Sequence, residues 1–119
     1  MKTLKYDKKD LKLIVRRYSN NNRLFVGILI DDEIESYYDD LTFNFPQFPF
    51  YKNSQAFLNP NIPNKLKNKM REDGLFGNTI FEWGCNGKIY EMVNFNLEKL
   101  KEYDSKGVKK FLKTNSYER

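Results

Sequence analysis

A chain of 119 residues with one cysteine and no histidine rules out a good deal of chemistry. By itself it cannot form an internal disulfide, a structural zinc site or a histidine-dependent nucleophilic site. The net charge of +5 admits nucleic acid as a partner without requiring it.

One domain spanning 1–119 is expected at this length, with a core rich in aromatic side chains, since Phe numbers ten, Tyr eight and Trp one. The opening segment "MKTLKYDKKDLKLIV" contains no continuous apolar run. Neither a signal peptide nor a membrane span is expected, and a cytoplasmic location follows. Charge is unevenly placed: residues 1–23 hold eight bases and two acids, 31–40 six acids and no base, and 99–113 six lysines and two acids.

The segment "DLKLIVRRYS" puts Leu11, Leu13 and Val15 on one face at period two and predicts a strand facing a helix. "NNN" at 20–22 predicts a turn, and "RLFVGILI" the returning strand. "DDE" turns the chain again, and "SYYDDLTFNF" at 36–45 predicts a third strand of a meander, ended by Pro46. "PQFPFYKNSQ" is expected to be irregular, with "AFLN" one more short pairing segment. In "NPNIPNKLKNKMREDG", Pro63 suits a first helical turn and Gly74 a stop. Lys65, Lys67, Lys69 and Arg71 would then spread around an exposed helix. "FEWGCNGKIYEM" predicts a hairpin turning at Asn-Gly. Asn96 caps a final helix with Leu97 and Leu100 facing inward, bent or broken at Gly107, and the last six residues are expected to fray. The expected fold is α+β: a small antiparallel sheet, formed by a three-stranded N-terminal meander plus a C-terminal hairpin, with two helices packed on one side.

The segments "YSNNNRLFVGILIDDE", "LTFNFPQFP", "AFLNPNIP", "EDGLFGNT" and "GKIYEMVNF" together resemble a family of small proteins known as a domain of unknown function. Its members are carried by conjugative elements, prophages and plasmids of Firmicutes and Bacteroidetes. Arg23, Leu24, Leu41, Asn44, Pro46, Asn59, Gly74, Gly77 and Tyr90 carry the resemblance. The family has no established activity, so the resemblance implies a habitat. Small mobile-element proteins without enzyme motifs often block host defence, anti-CRISPR proteins among them.

Three sets of residues are candidates for function. The acids Asp31, Asp32, Glu33, Glu35, Asp39 and Asp40 could imitate nucleic-acid phosphates and occupy a nuclease's basic groove. They could also bind a hard cation, or form a solvated turn. Tyr37 and Tyr38 would add apolar contact, as would Phe48 and Phe50, which flank Pro49 and either protrude as a binding edge or pack under a loop; Phe43 and Phe45 are expected in the core. Lys106, Lys109, Lys110 and Lys113 lie at i, i+3, i+4 and i+7 on one helical face, a candidate nucleic-acid surface or a solvated face. "EDGLFGN" lacks the Lys-Ser/Thr of a phosphate-binding loop. Nothing near Cys85 in the sequence marks it as a reactive thiol, and burial or idle exposure is expected of it. No enzyme activity, catalytic residue, metal or cofactor is expected. The leading expectation is a binding protein that inhibits a host defence protein, a Cas nuclease complex being the concrete case. The alternative is a nucleic-acid-binding accessory protein, and the third reading is a structural or regulatory domain that dimerises through a sheet edge.

Overall fold

The computed structural model describes residues 2–115. Strand β1 (Leu4–Tyr6) turns into β2 (Lys9–Arg17) through Asp7 and Lys8, both with positive φ. β2 pairs antiparallel with β3 (Leu24–Ile30), from Leu11 opposite Ile30 to Arg17 opposite Leu24. β4 (Ser36–Asp40) completes a first sheet ordered β1-β2-β3-β4. The asparagine turn forms as its composition dictates, with Asn22 at φ 61°.

The strand expected over 36–45 is divided. A register shift between Ile28 and Leu29 bulges β4, and the chain then leaves the first sheet at Leu41. Leu41 is fully buried; its N–H donates to Val26 O, and its carbonyl accepts from Asn59 N–H. These two bonds join the sheets, so one extended stretch serves both. The second sheet opens with β5 (Thr42–Phe43) and continues with β6 (Gln55–Leu58), β7 (Phe81–Cys85) and β8 (Lys88–Asn94) in the order β5-β6-β8-β7. The expected single sheet is therefore two. The meander has four strands, and the C-terminal hairpin is extended by β5 and β6.

Helix α1 (Asn64–Glu72) follows Pro63 and ends at Gly74, whose φ of 81° suits a residue without a Cβ. Helix α2 (Leu97–Asn115) is capped by Asn96, whose side chain accepts from Lys99 N–H at 3.1 Å. The two helices do not share one sheet. α2 lies against β2, as the period-two face of Leu11, Leu13 and Val15 predicts, whereas α1 reaches β8 through Lys67 and Glu91. The break in α2 is at Asp104 (φ −150°, ψ 79°), not at Gly107. Gly107 is needed for close approach: a Cβ there would lie 2.4 Å from Val15 O. The expected fraying falls mainly on 116–119, outside the described residues.

One main core runs through both sheets and both helices, from Leu11, Leu13 and Ile28 to Leu58, Leu66, Val93 and Phe111. A second cluster lies on the other face of the second sheet, where Phe45 covers Phe57, Tyr90 and Met92, with Phe48 and Phe50 packed against them. Among the described residues no helix is long and apolar enough to cross a membrane.

Candidate nucleic-acid interface

The break in α2 puts a carboxylate where an uninterrupted helix would put backbone. Asp104 has extended geometry, so its side chain caps the following helical segment, Oδ1 accepting from Gly107 N–H at 2.9 Å. Its Oδ2 accepts from Val15 N–H and from Arg16 Nη1, each at 2.9 Å. Arg16 Nη1 also donates to Val15 O at 2.7 Å. Asp104 is buried and fully engaged, and it fastens α2 to β2 across 88 positions of sequence.

Beside this knot runs a groove of about 530 Å³. Arg16 and Arg17 line it from the end of β2, Lys106 and Lys110 from α2, and Ser19 from the turn. Among the described residues Asp104 is the only acid lining it. Four cations against one carboxylate leave a local excess of +3. Arg16 offers five N–H donors and uses one nitrogen internally, so the rest of its fork faces outward; its side chain is 56% exposed. Arg17 donates to Asn22 Oδ1, and Lys106 and Lys110 are exposed. Of the predicted lysine face, Lys106 and Lys110 enter the groove, while Lys109 and Lys113 lie exposed outside it on the same helix.

The acidic and aromatic candidates do not come together. Asp31, Asp32, Glu33 and Glu35 are exposed in the turn after β3, around Ile34, which is 84% exposed. Glu35 accepts from Lys12 Nζ at 2.6 Å, and Asp32 Oδ1 from Glu33 N–H. Tyr37 is exposed, but Tyr38 turns inward against the main core. Asp39 and Asp40 are half-buried in β4; Asp40 accepts the Tyr37 hydroxyl, and burial raises its carboxyl pKa. Among the described residues no three acids or thiols gather closely enough to hold a metal ion.

Phe48 and Phe50 are held at the other end of β3. Instead of protruding, they fold back over the second sheet. Phe48 meets Phe57 edge-on at 5.1 Å, and Phe50 tilts against the same ring at 5.8 Å. Arg23, just before β3, clamps this flap: Nη1 donates to Phe45 O at 2.9 Å, Nη2 donates to Phe48 O, and the guanidinium lies 4.1 Å over Phe50. Burial lowers the Arg23 pKa. Seven residues of β3 separate this clamp from the acidic turn, about 20 Å at the rise of an extended strand. Phe43, expected in the core, is 39% exposed at the rim of the cluster, and the residue that does protrude is Tyr51.

A further departure concerns Lys67, which is buried under α1 rather than exposed. Its Nζ donates to Glu91 Oε2 at 3.0 Å, and Glu91 also accepts from Thr79 Oγ1 at 2.6 Å. Burial opposes ionisation of Glu91, but the Thr79 and Lys67 hydrogen bonds and the charges of Lys67 and Arg71 outweigh it, so its carboxyl lies below the usual range. No signal in the sequence singles out Arg16, Arg17 or Asp104 as partners of the lysine face. The groove exists only because the chain brings β2 and α2 together.

The model of a family described as a domain of unknown function, DUF4313, matches residues 12–115, and the chain belongs to that family. No curated protein and no solved structure matches the chain.

Proposed function

We propose that the protein is a nucleic-acid-binding accessory protein that holds a phosphate backbone in the groove between β2 and α2. The observation that carries this is the convergence of Arg16, Arg17, Lys106 and Lys110 on one cleft whose single carboxylate is already satisfied by three donors. Arginine forks suit phosphate oxygens, and lysines add unpaired positive charge. The chain's overall charge of +5 favours the same partner. A cleft dominated by positive charge favours phosphate contacts, so binding is expected to depend steeply on salt.

The test is fluorescence anisotropy with a labelled 20-nucleotide DNA, its duplex and the matching RNA, at about 50 and 200 mM salt. Binding that weakens with salt is expected. In Arg17→Glu/Lys106→Glu/Lys110→Glu it should fall by about two orders of magnitude, with a salt slope smaller by about 3 on duplex DNA. The absence of binding by the native protein to all three probes at low salt would overturn the proposal. So would unchanged affinity in a folded triple variant.

A second reading follows the exposure of the acidic turn. Asp31, Asp32, Glu33 and Glu35, set around the exposed Ile34, form a projecting acidic tip with an apolar centre. Such a tip suits the basic groove of a host defence nuclease, in a phage or mobile-element protein that works by inhibition. The separation from Phe48 and Phe50 leaves Ile34 and Tyr37 as its apolar contacts.

A further inference from the structure

Four strand edges are left open by the two sheets, and they are not alike. β1 is three residues long and carries Lys5; β5 has two residues; β4 is bulged and carries Asp39 and Asp40. Shortness, charge and bulges are the usual guards against edge pairing. β7 is the least guarded of the four. It runs for five residues, pairs along its whole length with β8 on one side, and carries one charge, Glu82, with no Pro and no Lys. Its apolar side chains are half in water: Phe81 is 42% exposed and Trp83 38%, and Ile89 on neighbouring β8 is 55% exposed on the opposite face.

We infer that β7 is a homodimer interface, pairing antiparallel with β7 of a second copy about a two-fold axis at Trp83. The Asn86–Gly87 turn has φ of 52° and 76°, the two-residue hairpin geometry in which Cys85 and Lys88 exchange both hydrogen bonds. Alternation from that pair directs the N–H and C=O groups of Phe81 and Trp83 toward β8, and those of Glu82 and Gly84 toward the open edge. A two-fold axis at Trp83 therefore sets Glu82 opposite Gly84 of the second copy as the hydrogen-bonded pair. Trp83 meets Trp83, and Phe81 meets Cys85, as the closer non-bonded pairs. In this register no like charges face each other, whereas an axis at Glu82 would set two carboxylates together. The strand is complementary to itself, which is what an isologous contact between copies requires. One five-residue edge with two half-exposed aromatic side chains is a small contact for a specific interface, so the dimer is weak and concentration-dependent.

Two measurements on the full chain test this. In sedimentation equilibrium the mass should rise from one copy toward two between about 10 µM and 1 mM, with Trp83→Glu remaining at one copy. Phe81→Cys, with Cys85 native, tests the register. Opposed non-bonded residues lie about 4.5–5.5 Å apart, within disulfide reach, whereas positions 81 and 85 of one strand lie about 13 Å apart and cannot bridge. Mild oxidation should give a covalent dimer whose linkage maps to 81–85 between chains, and Phe81→Cys/Cys85→Ser should give none. A native protein that stays at one copy to about 1 mM, or a Phe81→Cys protein that oxidises without an 81–85 link, would overturn the inference. Loss of DNA binding leaves it untouched, because the groove and β7 share no residue.

Discussion

Two places near one end of the β2–β3 hairpin are each fastened by one charged side chain, with opposite chemistry. At the junction of β2 and α2 a carboxylate, Asp104, collects N–H donors from a strand, an arginine and a helix start. At the flap over the second sheet a guanidinium, Arg23, collects two carbonyls and a ring face. Asp104 joins elements of the main core and sits buried among them. Arg23 holds a loop onto a satellite cluster and remains half in water. The same device, a charge satisfied by backbone, thus serves the whole fold in one place and a local closure in the other.

The sharpest way to break this symmetry is Asp104→Ala. It strands Val15 N–H in the interior, unpairs Arg16 and uncaps the second half of α2. A loss of about 3 kcal/mol is expected from an orphaned buried donor and a lost cap together. At this chain length that lowers Tm by roughly 10 °C. Urea denaturation would show it as one cooperative shift, and Asp104→Asn, which retains an acceptor, should lose less. A change below about 0.5 kcal/mol, the level of an ordinary surface substitution, would mean that Asp104 is not a fastening.

Arg23→Ala is expected to act differently. Two carbonyls lose their donor and Phe50 loses its cation, together about 2 kcal/mol, but the loss should fall on the flap. Amide hydrogen exchange should accelerate over residues 44–51 while β2 and β3 remain protected, because small local openings need not unfold the core. The single tryptophan reports the same event. Phe48 lies 5.4 Å from Trp83, and opening the flap should shift its emission to the red. Uniform acceleration across both sheets would show that flap and core are one unit.

Most of the local structure was legible because it depends on near neighbours. The period-two face of β2, the turns at Asn22 and Asn86–Gly87, the stop at Gly74 and the cap at Asn96 all follow from residue type and spacing. What was not legible depends on contacts between segments distant in sequence. Nothing in "SYYDDLTFNF" marks Leu41 as the point of transfer between sheets, since its period-two pattern continues through it. The switch is made by Val26 and Asn59, which are distant in sequence. Phe48 and Phe50 look like protruding anchors until Phe57 and Arg23 are placed beneath them. In the candidate groove the lysines were visible as a helical face, but the arginines were not. Arg16 and Arg17 read as the end of a strand, and Asp104 as an ordinary helical acid. The residues that carry the family resemblance are largely scaffold: Arg23 clamps, Leu24 and Leu41 are core, Asn59 donates to Asp40 O, and Gly74 ends α1.

The smallest stability effect is expected where charge is densest. Asp31, Asp32 and Glu33 are exposed; Asp32 accepts from Glu33 N–H, and the Asp31 N–H bond to Asp10 O is backbone and survives substitution of its side chain. Replacing all three with Lys moves the net charge from +5 by three steps of two to +11. It should change stability by no more than about 0.5 kcal/mol per site, against about 3 kcal/mol for the single loss of the buried carboxylate of Asp104. Glu35 is left in place because it pairs with Lys12, an exposed ion pair that solvent and salt screen. The variant also separates the two functional readings. If the groove binds nucleic acid, removing three distant acids raises the association rate severalfold at low salt through the general field, and leaves the salt slope near its native value because no phosphate contact is added. If the acidic tip is instead the contact with a basic partner, the same folded protein loses inhibition of that partner while its affinity for bare DNA changes little. Stopped-flow association with the labelled duplex, beside circular dichroism melting, reads both stability and rate. A fall in Tm comparable to that of Asp104→Ala would show that the hairpin tip is structural after all and would remove the contrast between one buried charge and several exposed ones.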